Sequence, residues 1–132
     1  MSSTAFDTRR ASTASDAIAP DGSEVRVLCA TARGSMAVFT LQPGAIAKAV
    51  THRTVEEIWC VTRGRGRMWR KAAEREEVTE LAAGTSITIT TGTHFQFRND
   101  GGEPLEVVAV TMPPWPGDGE AYIVAGKWVP TV

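Results

Sequence analysis

Glycine and proline punctuate the chain at short intervals, and no stretch between the breaks sustains an apolar period of 3.6 residues. Turn signals at 20–23 (PDGS), 43–44 (PG), 63–66 (RGRG), 91–92 (TG) and 99–102 (NDGG) bound runs that alternate instead. The runs are 24–31 (EVRVLCAT), 35–42 (SMAVFTLQ), 57–62 (EIWCVT), 67–71 (RMWRK), 86–90 (SITIT), 94–99 (HFQFRN) and 104–112 (PLEVVAVTM). Short strands at such spacing predict an all-β sandwich or barrel. Residues 72–81 read as a loop leading into a short strand, 112–119 (MPPWPGDG) as extended cover because of their prolines, and 121–129 as a last short strand. In 57–62 apolar groups fall on both parities, the pattern of a strand buried on both faces.

With 132 residues, 42% of them hydrophobic, the chain fills one core, so a single domain is expected. Basic and acidic groups nearly cancel, 14 against 15, which argues against nucleic acid or an anionic membrane surface as partner. Residues 1–20 are rich in Ser, Thr, Ala and Asp and bury too little to offset the entropy of ordering. A mobile arm is expected over 1–20, with the domain over 21–132. The arm lacks the apolar centre of a secretory signal and no apolar run reaches membrane-spanning length, so a cytoplasmic location is expected. Cys29 and Cys60 lie in alternating runs and not in a CxxC pair, and read as small core hydrophobes, with a disulfide as the alternative.

One stretch combines alternation, a turn and a histidine with a carboxylate: residues 44–66, with His52 and Glu57. Five residues separate Gly44 from Val50, one separates Val50 from His52, four separate His52 from Glu57, and six separate Glu57 from Gly64. Residues 84–99 answer it with Gly84, Thr90, Gly92, Phe95 and Asn99. The two spacings resemble the two motifs of the cupin superfamily, with Val50 and Phe95 standing where that family has histidines and Thr90 where it has proline. The resemblance implies a cupin-type jelly-roll β-barrel enclosing a small molecule, and a homodimer.

A divalent ion held by imidazole and carboxylate takes at least three protein ligands. His52 and Glu57 supply two, and His94, next to Phe95, adds a third only if it turns inward. The cofactor is therefore expected to be none or a weakly bound divalent metal. Without a metal, a carboxylate that orients an imidazole in a low-dielectric pocket makes a general acid–base pair, and as that pair or as a reduced metal site the two residues are expected to serve isomerase, lyase or oxygenase chemistry. A satisfied structural pair is the alternative. Val50, Trp59, Phe95 and Phe97 are expected to line the pocket, either of an enzyme or of a non-catalytic small-ligand-binding barrel, unless the aromatics are plain core.

Overall fold

The structure is a computed structural model and describes residues 6–132. Its strands are β1 (Ala17–Ile18), β2 (Glu24–Ala30), β3 (Ser35–Leu41), β4 (Val50–His52), β5 (Glu56–Arg63), β6 (Arg65–Ala72), β7 (Arg75–Ala82), β8 (Ser86–Ile89), β9 (His94–Asn99), β10 (Leu105–Met112) and β11 (Ala121–Ile123), with no helix among the described residues. No helix long and apolar enough to cross a membrane is therefore present among them.

The strands form two antiparallel sheets, one ordered β1-β2-β3-β10-β5-β8 and the other β11-β4-β9-β6-β7. The sheets face one another in a jelly roll whose edges are not closed into a continuous ring. Strict alternation in β10 sends Leu105, Val107, Ala109 and Thr111 inward, and the strand pairs on both sides, with β3 and β5. Together with Leu41, Trp59, Val61, Met68, Leu81 and Phe97, each at most 1% exposed, Leu105, Val107 and Ala109 form one core between the sheets.

Two glycines make the β5–β6 corner possible. Gly64 has φ +82° and a Cβ there would stand 2.5 Å from the Pro104 carbonyl oxygen. At Gly66 a Cβ would collide with the Arg98 carbonyl oxygen, so β6 and β9 approach this closely only because the side chain is absent.

The outer faces of the sheets differ. The chain after β11 straps the β4-β9-β6 face, where the Gln96 amide donates to the Ala47 and Trp128 carbonyls and accepts from the Lys127 and Trp128 amides. All the hydrogen-bonding capacity of Gln96 is used, which is what permits burial at 1% exposure. On the other sheet Met36, Val110 and Ile58 align in register on the outer face, and Ile58 is 47% exposed.

Several sequence expectations change. β5 is buried on one face only, so Cys60 is exposed; Cys29, on β2, is half-buried, and both are free thiols and not core side chains. Residues 75–82 form a full eight-residue strand where a loop was expected, because both faces of β7 carry polar groups and no amphipathic alternation marks it. The strand expected over 121–129 stops at Ile123, since the chain beyond it turns to cover Gln96. Of the arm expected over 1–20, residues 1–5 lie outside the described residues. Residues 12–18 run along β2, where Arg26 donates to the Ser12 and Thr13 carbonyls and β1 pairs with β2.

Candidate functional site

His52 and Glu57 meet inside the roll. β4 is pinned between β11 and β9, with Ala121 opposite His52 and Phe95 opposite Val50, so residues 50 and 52 both face inward. Glu57 enters on β5 opposite Ile89 and Thr111. The link between β4 and β5 is held by Glu120, which accepts hydrogen bonds from the Thr54 amide at 2.7 Å, the Val55 amide at 3.0 Å and the Thr54 hydroxyl. Arg53 adds a bond from its side chain to the Gly119 carbonyl.

The His52 Nε2 lies 3.1 Å from the Glu57 Oε2, and the two residues are 5% and 2% exposed. The other carboxylate oxygen of Glu57 accepts from the Trp59 indole N–H at 2.9 Å. The His52 Nδ1 is buried and has no hydrogen-bond partner. Two rings stand edge-on to the imidazole, Phe95 at 5.1 Å and Trp115 at 5.3 Å between centroids. Behind them Trp59 makes the same kind of contact with Phe95 at 6.0 Å and Phe97 at 5.0 Å.

Burial moves both titrations toward the uncharged forms. It pushes the His52 pKa down to about 4, against the opposing attraction of the Glu120 charge. It pushes the Glu57 carboxyl up to about 7, with the Trp59 hydrogen bond opposing and the charges of Asp21 and Glu120 reinforcing. For Glu120 itself burial also acts upward. The hydrogen bonds from Thr54 and Val55 outweigh it and hold that carboxyl below its usual range.

The pair expected from the spacing is thus brought together, and Val50, Trp59, Phe95 and Phe97 surround it as buried apolar walls. His94 does not join them. It sits on β9 in register with Lys71, one residue from Phe95 and so on the opposite face of the strand. Among the described residues no three His, Cys, Asp or Glu side chains gather as a metal-binding group. Val50 and Phe95 are register partners and are each 2% exposed, so the two positions where ligands are missing press apolar surface against each other. This donor set does not fit a tightly held divalent ion, which requires a third protein ligand.

Two site residues escaped the sequence reading. Glu120 binds a turn 66 positions earlier in the chain, and no local signal marks it. Trp115 was read only as part of the proline-rich cover, although a large aromatic side chain among prolines was itself a sign of apolar surface beneath.

Comparison with known proteins agrees with this architecture. The Cupin domain family matches residues 37–111, more than half of the chain. An uncharacterized conserved protein with a double-stranded beta-helix domain from Klebsiella pneumoniae subsp. pneumoniae MGH 78578 superimposes with a TM-score of 0.65 at 20% identity, over 94% of this chain and 99% of that one. Oxalate decarboxylase from Bacillus subtilis gives 0.69 at 18% identity, over 81% of this chain and 29% of the enzyme. That decarboxylase has Mn(II) centres. The capsular polysaccharide assembling protein CapF from Staphylococcus aureus gives 0.64 at 20% identity, over 77% of this chain and 32% of that one. At these identities the likeness establishes a shared fold.

Proposed function

This chain belongs to the Cupin domain family, and from that premise we propose that it is a small-molecule enzyme in which His52 and Glu57 act as an acid–base pair without a resident metal, in isomerase or lyase chemistry. The observation that carries the reading is the buried 3.1 Å contact between a histidine and a carboxyl whose remaining nitrogen, Nδ1, has no partner.

Between about pH 4 and about pH 7 the pair holds one proton on Glu57, hydrogen-bonded to the neutral imidazole at Nε2. Above that range Glu57 ionises and the Nε2–H donates to it. Nδ1 is then a free base: it takes a proton from a substrate carbon or hydroxyl while the Nε2 proton passes to the Glu57 carboxylate, and the reverse movement delivers a proton. Glu57 orients the ring, the Trp59 indole fixes the far carboxylate oxygen, and the aromatic walls exclude water.

The test is histidine titration by NMR in the wild type and in Glu57→Gln. The expected result is an imidazole that stays neutral down to about pH 4 and whose titration moves in the variant. Titration near pH 6.5 in both proteins would overturn the reading. Elemental analysis of protein purified without tag or chelator, and calorimetric metal titration of the Val50→His, Phe95→His double variant against the wild type, check the donor-set argument. Four ligands restored in the right register are expected to raise divalent-ion affinity at least about tenfold.

A second reading, a non-catalytic small-ligand-binding barrel, is favoured by the edge-to-face cluster of Trp59, Phe95 and Phe97 around the pair. A proton-transfer activity abolished by His52→Ala separates the two.

A further inference from the structure

At 5% and 2% exposure, His52 and Glu57 are closed to any ligand unless a covering side chain moves. The two rings against His52 are unequal in this respect. Phe95 is 2% exposed, belongs to a central strand and also holds Trp59, so displacing it would open the core. Trp115 is 37% exposed and lies outside any strand, between Pro114 and Pro116. The segment from Pro113 to Gly119 is tied to the sheets by two hydrogen bonds, from the Trp115 amide to the Ser35 hydroxyl and from the Arg53 side chain to the Gly119 carbonyl.

The seat under Trp115 has a definite chemistry. Its floor is the His52 ring, met edge-on at 76°, and Phe95 makes the same kind of contact with that ring at 72°. Such T-shaped contacts suit flat π systems better than branched aliphatic groups. The floor also contains a buried polar group that lacks a partner, the Nδ1 of His52, which ring contacts alone leave unsatisfied.

We infer that Trp115 is a displaceable plug, and that the ligand of this site carries a flat aromatic group of about indole size that takes its place against His52, with one hydrogen-bonding atom for Nδ1. The inference rests on the preceding reading for its statement that His52 faces the ligand, and it names the class of ligand which that reading leaves open. Loss of the plug exchanges one ring contact for another, so the sheets need not move while the ligand enters.

The experiment uses indole as the probe. Trp115→Ala empties the seat, and indole is expected to bind that variant, to raise its melting temperature by about 5 °C at ten times its Kd, and to return the His52 ring resonances toward their wild-type positions. Trp115→Phe, which keeps a ring in place, is expected to bind indole more weakly. In the wild type, saturating indole is expected to shift the Trp115 indole N–H resonance, assigned by its absence from Trp115→Phe. That measurement stands even if the alanine variant does not fold. Unchanged His52 and Trp115 resonances in every protein, with no melting shift, would overturn the proposal. None of these readouts needs turnover, so indole binding beside a His52 that ignores Glu57→Gln would sink the acid–base reading and leave the aromatic seat standing.

Discussion

Two walls of one interior carry opposite chemistry. From β4 and β5, on different sheets, come His52 and Glu57, and from β9, beside β4, come Phe97 and, in register with Val50, Phe95. Both walls are buried to within a few per cent, so burial alone does not separate them. What separates them is where unmet polarity goes. On the aromatic wall nothing needs a partner, and edge-to-face contacts fill the space. On the other wall each ionisable group survives burial by shedding its charge and sharing a proton with its neighbour. The apolar wall thus sets the titration of the polar one, because it keeps water from solvating either charge.

The largest expected effect comes from breaking the apolar wall. Phe95→Ala removes the ring that touches both His52 and Trp59, and is expected to cost about 3–5 kcal/mol in urea melts. If the roll collapsed around the cavity with little loss, the wall would be filler and not support. Breaking the polar wall comes next. Glu57→Leu leaves the Trp59 indole N–H and the His52 Nε2 without their partner, at an expected cost of about 2–5 kcal/mol. Combined with His52→Leu the loss is expected to fall short of the sum of the single losses. Strict additivity in that double-mutant cycle would mean that the two side chains do not interact.

The pH dependence sharpens the comparison further. Unfolded, His52 titrates near 6.5 and Glu57 near 4.5, whereas in the fold they titrate at about 4 and about 7. Between about pH 4.5 and 6.5 each state therefore holds one proton, on Glu57 when folded and on His52 when unfolded, and the two linkages cancel. Glu57→Gln uncovers the His52 contribution, present above about pH 6.5 and lost as pH falls through the pH at which His52 titrates in that folded variant. His52→Gln uncovers the opposite one, present below about pH 4.5 and lost as pH rises toward about 7. Each is expected to show a slope of about 1.4 kcal/mol per pH unit, of opposite sign, where the wild type is flat. Denaturant melts across this range check it, and parallel curves for the two variants would contradict the assignment.

The smallest expected effect is at Glu120. Its charge raises both the His52 and the Glu57 titrations, so Glu120→Gln is expected to lower each slightly while the amide oxygen still accepts from the Thr54–Val55 turn. NMR titration reads this directly. An upward shift of His52 would mean that the turn, and not the charge, had been altered.

Much of this was legible in the chain. The alternation in β3, β9 and β10 and the turns at Gly44, Gly64 and Gly92 are local facts, and they lead to a two-sheet roll without reference to any distant residue. His52 and Glu57 were legible from their spacing, five residues apart, although they stand on strands of different sheets and meet only across the roll. β7 was missed because Glu76, Glu77 and Glu80 face solvent beside Val78, and a strand that buries only Leu81 leaves no period of two to read. The exposure of Ile58 and Cys60 was missed because apolar alternation reports what a face is made of and not what covers it.

By itself the sequence determined the alternating strands β3, β9 and β10 with the turns between them, and that positions 50 and 95 are apolar where a metal site needs donors. These follow from backbone geometry and side-chain type, which act over a few residues. Only the tertiary structure decided that Trp115 closes over His52, that Glu120 fastens the turn between the two members of the pair, and that Gln96 is buried under the chain's last residues. Each of these contacts joins segments more than thirty residues apart. They exist because the strands, once paired, bring those segments within reach and exclude the water that would otherwise satisfy the polar groups.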